Sequence, residues 1–178
     1  MAATFQWGEA NGAGETLTLD RAEANFKNVD DSTTAYSSSP IPVNENSYEK
    51  WIFGKFSGAF NQILNGKFDH TAGVLAANLT VKGAKTMTAD GDRLTYATPS
   101  KTANANLTKD FTTVNASFPT GANVVYFGAT GPATSGKAAS MATNPCFTNY
   151  LALQLQIGAA AVPGDTTQIT MTLQYDEN

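Results

Sequence analysis

The sequence predicts an all-β protein, an antiparallel β-sandwich of jelly-roll or immunoglobulin-like type with an extended N-terminal arm. Two runs near the C-terminus carry most of that reading. Leu151, Leu153, Leu155 and Ile157 alternate with Ala152, Gln154 and Gln156, and Ile169, Met171, Leu173 and Tyr175 alternate with Gln168, Thr170, Thr172 and Gln174. Strand side chains point to opposite faces with period 2, so each run has one apolar and one polar face. Along the rest of the chain, short β-prone runs recur between turn residues without a sustained helical period. At 178 residues the chain suits a single sandwich domain over residues 15–178, large enough to bury a core, preceded by an arm over residues 1–14.

In order, residues 1–14 hold Phe5 and Trp7 among small residues, followed by the flexible Asn11-Gly-Ala-Gly14. Two large aromatics need apolar cover, either on their own domain or on a neighbouring subunit. Thr16 to Leu19 alternates and reads as a strand. Arg21 to Val29 fits a short helix or an irregular edge equally. Asp30 to Ser39 is polar and turn-rich, and Pro40-Ile-Pro42 enforces an extended backbone.

Residues 46–68 carry mixed signals. Asn46 and Glu49 resemble a capping box, and Tyr48, Ile52, Phe56 and Phe60 recur at helical spacing. Gly54 and Gly58 oppose a helix, and the dense aromatics favour strands over 47–58 and 60–69. Val74 to Lys82 alternates and reads as another strand. Asp90-Gly91-Asp92 is a turn, after which Leu94 and Tyr96 open a short strand that stops at Thr98-Pro99. Residues 100–120 are rich in asparagine and threonine, with Leu107, Phe111, Val114 and Phe118 as anchors. Asn123 to Phe127 is a short buried strand, and 129–144 is a loop of glycine, alanine and serine. The two C-terminal runs, joined across Pro163-Gly164, read as a long-looped hairpin over 150–176.

Charged residues make up 15% of the chain, well below the roughly 25% of ordinary soluble domains. Uncharged polar and small residues take their place, a composition of extracellular β proteins and of subunits packed in assemblies. The net charge is −4, and the 11 lysines and arginines are scattered. Nucleic-acid binding needs clustered cations, so it is not expected. No apolar stretch approaches the ~20 residues that span a bilayer as a helix. The N-terminus lacks the basic and apolar regions of a signal peptide.

Little here can carry chemistry. Any Ser or Cys triad must use the single histidine, His70, beside Asp69, and no Gly-x-Ser-x-Gly turn presents a serine. The lone Cys146 reads as a small hydrophobe at a strand start. Zinc needs more His and Cys ligands than the chain has, so no cofactor is expected. Asp30-Asp31 and Asp90-Gly91-Asp92 are oxygen clusters of the kind calcium uses, but Asp and Gly are equally what turns require. Trp51 reads as core, while Trp7 is the freer aromatic for stacking a sugar. Three N-glycosylation sequons begin at Asn78, Asn106 and Asn115, a number that chance alone supplies in so polar a chain.

Several segments together resemble a family of tailed-bacteriophage virion proteins. They are Ser47-Tyr-Glu-Lys-Trp51 running into Lys55-Phe-Ser-Gly-Ala-Phe-Asn61, the Tyr96-Ala-Thr-Pro-Ser100 stop, and the ending Leu153-Gln-Leu-Gln-Ile-Gly158 with Gln174-Tyr-Asp-Glu177. The resemblance implies a β-rich, non-enzymatic structural subunit without catalytic residues. It would be located in the virion, with other copies of itself and the major capsid protein as partners. Capsid decoration or cementing, a neck or tail role, and a sugar-binding host-attachment domain are the functions to weigh. The expected contact residues are Phe5 and Trp7 on the arm, and the uncharged Gln154, Gln156, Thr170, Thr172 and Gln174 on the outer face of the hairpin.

Overall fold

The computed structural model describes residues 2–85, 95–116, 118, 123–133, 138–164 and 168–178. Its strands are β1 (Ala3–Asn11), β2 (Thr16–Leu19), β3 (Lys50–Gly58), β4 (Ile63–Ala72), β5 (Leu79–Lys85), β6 (Lys109–Asp110), β7 (Phe127–Gly128), β8 (Ser140–Met141), β9 (Cys146–Thr148), β10 (Leu151–Ile157) and β11 (Thr170–Glu177). The only helical turn among the described residues is a 3-10 turn at Tyr36–Ser38. All pairings are antiparallel, as the sequence predicts.

The large sheet has eight strands, with β2-β1-β3-β10-β5-β6 as its main path and β9 and β7 continuing from the far half of β3. The small sheet is β11-β4-β8. One apolar core lies between them. Ile52 and Phe56 of β3, Val81 of β5 and Leu151, Leu153 and Leu155 of β10 enter it from the large sheet. Ile63 and Phe68 of β4 enter from the other side, with Met171, Leu173 and Tyr175 of β11 packed against them.

The outer face of the large sheet is covered too. Trp51, Phe53, Tyr150, Ala10, Ala84, Ala152 and Leu107 form a second buried cluster there, joined by Tyr96. Trp51 and Tyr150 meet edge-on with ring centroids 5.8 Å apart. The Tyr150 hydroxyl donates to Glu15 at 2.7 Å, and burial followed by that carboxylate pushes its pKa well above the ordinary tyrosine value. A strand covered on both faces has no polar side to show.

Residues 46–68 are strands rather than a helix, and Gly54 shows why. The ring of Phe5 lies over it, so an added Cβ would stand 2.6 Å from that ring. Gly8 seats its cross-strand partner Phe53 in the same way, at 2.3 Å. Gly54, which weakens a helix, is thus the bed on which an aromatic of the neighbouring strand rests, while Gly58 ends β3 with φ +93°.

Several expectations are corrected. Residues 3–11 are not an arm: β1 pairs with β3 from Ala3↔Gly58 to Ala10↔Trp51 and lies inside the large sheet. The C-terminal runs are not a hairpin, because β10 pairs with β3 and β5 while β11 pairs with β4. The 158–169 connection therefore crosses from one sheet to the other. The strand expected over 74–82 begins only at Leu79, leaving Val74 at 73% exposure. Val124 forms only an isolated bridge to Lys67, and the ladder there is restricted to Phe127–Gly128. Within the expected 129–144 loop, β8 pairs with β4. Tyr96 is not in a strand but packs on Trp51 and donates its hydroxyl to the Gly12 carbonyl at 2.6 Å. Asp90, Gly91, Asp92 and Leu94 lie outside the described residues.

Candidate interaction surface

The residues with chemical potential sit in structural roles. His70 is fully buried in β4, with Nδ1 2.8 Å from the Phe111 carbonyl and Nε2 2.8 Å from that of Ala72. Both ring nitrogens are therefore engaged by backbone, and neither faces a nucleophile. Asp69 accepts from its neighbour's amide, His70 N, at 2.9 Å and from Asn115 Nδ2 at 2.7 Å. Cys146 opens β9 with 0% exposure, and burial pushes its thiol up to about 11. It packs as a small hydrophobe, far from the thiolate that reactivity requires.

The Asp30-Asp31 pair organises its own turn. Asp31 accepts from Lys27 Nζ at 2.7 Å and from the Thr34 amide at 2.8 Å, while Asp30 accepts from Asn11 Nδ2 and the Gly12 amide. Hydrogen bonds from Lys27 and Thr34 hold the Asp31 carboxyl far below the usual carboxylate range. Among the described residues no group of three or more His, Cys, Asp or Glu side chains converges.

The expected contact residues are split between different parts of the fold. Phe5 points into the space between the sheets, its ring 5.1 Å from Phe56 and 6.2 Å from Tyr175. Trp7 follows it, 6.1 Å from Phe68. Gln154 lies on the outer face of the large sheet with 0% exposure. Its Nε2 donates to the carbonyls of Ser47, Ser100 and Thr102 at 3.1, 3.3 and 3.4 Å. Gln156 is half-buried beside it and donates to Gln154 Oε1. Gln154, expected on an outer contact face, is thus withdrawn from the subunit's surface: loops at 45–48 and 100–102 cross that face and accept from its amide.

Thr170, Thr172 and Gln174 are on β11, in the other sheet. Thr170 and Gln174 are exposed, and Thr172 meets Thr71 with hydroxyls 2.6 Å apart. Opposite β11 lie Phe68, Asp69 and His70 of β4, and among the described residues no strand pairs with its other side. This edge strand is eight residues long, with neither lysine nor proline to oppose further pairing; its irregularities are register shifts at Thr170/Met171 and Gln174/Asp176, and its charges, Asp176 and Glu177, stand at its end. The other ends of the sheet order are short: β2 has four residues, β6 and β8 two each. Sequence reasoning found the uncharged residues but missed the edge, because the expected hairpin placed β10 where β11 is bare.

Aromatic side chains offer no platform among the described residues. Trp51 has 0% exposure, and Tyr36, at 54%, is the one aromatic among the exposed large hydrophobics. Comparison with protein-family models, with curated proteins and with solved structures finds no match for this chain.

Proposed function

We propose that the protein is a non-enzymatic structural subunit of a tailed-bacteriophage virion, decorating or cementing the capsid through contacts with copies of itself and with the major capsid protein. The observation that carries this reading is the β11 edge: eight residues of strand, open on one side among the described residues, with Thr170 and Gln174 exposed and no lysine within the strand itself. Half the backbone donors and acceptors of such a strand face outward and are matched by another strand. The low charge and the resemblance of residues 47–61, 96–100, 153–158 and 174–177 to virion proteins support the same reading.

For the fold we propose a β-sandwich, with the two sheets as its layers; jelly-roll or immunoglobulin-like connectivity is the finer form of this reading. A sugar-binding role in host attachment needs coplanar exposed aromatics, whereas Trp7 packs against the core between the sheets and Trp51 is buried in the cluster on the covered outer face.

Immunogold electron microscopy of phage particles that carry this sequence tests the proposal. Antibodies against the folded protein should label the capsid shell. Label confined to the neck or tail replaces decoration with the neck or tail role, and unlabelled intact particles overturn the virion reading altogether.

A further inference from the structure

The two sheets differ in size, and the mismatch leaves a cavity. The three-stranded small sheet covers only part of the inner face of the eight-stranded one. Around Leu153, Leu155 and Ile157 of β10, the roof is the irregular segment 21–41, which packs Ala24, Phe26 and Ile41 towards the core. It does not close. A cavity of about 600 Å³ remains between roof and sheet, bounded on a third side by Ile169 and Met171 of the β11 strand and its approach. Voids larger than a water molecule are few in protein interiors. Apolar cavities of roughly 300–1,000 Å³ with a few polar groups at one end are the usual form of a small-molecule site.

Arg21 is one of the two charged residues that line this cavity. Its amide donates to the Trp7 carbonyl at 3.1 Å, which anchors the residue on β1. Its Nε is buried and has no hydrogen-bond acceptor. The nearest carboxylate oxygen, Glu9 Oε2, is 3.7 Å away, too far for a hydrogen bond. Glu9 is itself neutralised by Lys50, whose Nζ stands 2.7 Å from its other oxygen with both side chains 1% exposed. Glu23 is the other charged group lining the cavity; it is exposed at the rim, where Asn25 donates to it. The rest of the Arg21 side chain is 26% exposed, so its guanidinium places a cation in the lining of an aliphatic channel. From Leu153 to Ile157 that channel runs four strand steps, ~13 Å.

We infer that the cavity binds a single-chain amphipath of the fatty-acid class, its acyl chain lying along β10 between the sheets and its carboxylate on the Arg21 guanidinium. A charged head inside the cavity would lose its hydration without a partner. At Arg21 it gains a charge-assisted hydrogen bond. The inference does not rest on the virion proposal, since it concerns the isolated subunit.

The test uses the purified full chain and two probes below their micelle concentrations: dodecanoate and dodecyltrimethylammonium, which share a chain and differ in head charge. Binding is read by calorimetry and by Trp7 emission in a Trp51→Phe background. Dodecanoate should bind saturably and at least about tenfold more tightly than the cation, the factor that ~1.4 kcal/mol supplies. Arg21→Met should remove that preference, and Ala24→Trp, which fills the channel, should abolish binding of both. Should Ala24→Trp fail to fold, Ala22→Trp at the exposed rim serves the same purpose. Absence of saturable binding, equal affinity for the two heads, or binding indifferent to the filling variant would each overturn the inference.

Discussion

Gln154 illustrates how a single side chain can invert an expectation. On an alternating strand a glutamine between leucines belongs to the solvent side, yet here its amide ties three carbonyls of two covering loops. Gln154→Ala removes that donor from the buried Ser47 carbonyl, a loss of about 1–3 kcal/mol. Urea unfolding should show a lower midpoint with an unchanged m-value, as befits a change in stability without a change in exposed surface. Asp31 makes a second prediction at this scale. Its carboxyl is held far below the ordinary 3.8 by hydrogen bonds from Lys27 and Thr34. The unfolded chain therefore takes up a proton there first as pH falls, so the folded state loses stability below pH 4. Wild type should exceed Asp31→Asn in stability at neutral pH. Thermal melts at stepped pH should show the gap narrowing towards pH 2, and a gap independent of pH would contradict the assignment.

At the scale of elements, local pattern was legible where one face met one environment. Thr16 to Leu19, the strands on either side of Phe60, and the strand starting at Cys146 all announce themselves by alternation or by aromatic density. Pairing partners were not legible. The two C-terminal runs have equally good strand patterns and a turn dipeptide between them, so chain proximity favours a hairpin. What decides otherwise is shape: β10 is buried on both faces, as only an interior strand of the large sheet can be, while Met171, Leu173 and Tyr175 fit the opposite layer. Nor could the pairing of β1 with β3 be read, because Gly8 and Gly54 take on meaning only beside the rings they seat. Register gives a direct check. Lys67 and Gln174 are cross-strand partners. Lys67→Cys with Gln174→Cys should cross-link under mild oxidation, whereas a β10–β11 hairpin would leave the pair unlinked. The native Cys146 is buried and will not compete.

For the molecule as a whole, the candidate contact surface was half legible. Threonine and glutamine without lysine suggest a contact face; the fold leaves Thr170 and Gln174 exposed and Thr172 half-buried on β11, and withdraws Phe5, Trp7 and Gln154 into the subunit. The withdrawn residues are those whose neighbours are remote in sequence: β3 for the first two, the 100–102 loop for the third. What remains is a two-sheet body whose long open edge, among the described residues, is β11, and assembly through that edge is the central claim. Sedimentation velocity of the purified protein over a concentration series, beside a Thr170→Lys/Gln174→Lys variant of unchanged melting temperature, tests it most directly. The account predicts concentration-dependent association of the wild type and a monomeric variant, since lysines on an edge strand oppose further pairing. A wild type that stays monomeric throughout, or association that survives both lysines, would contradict it.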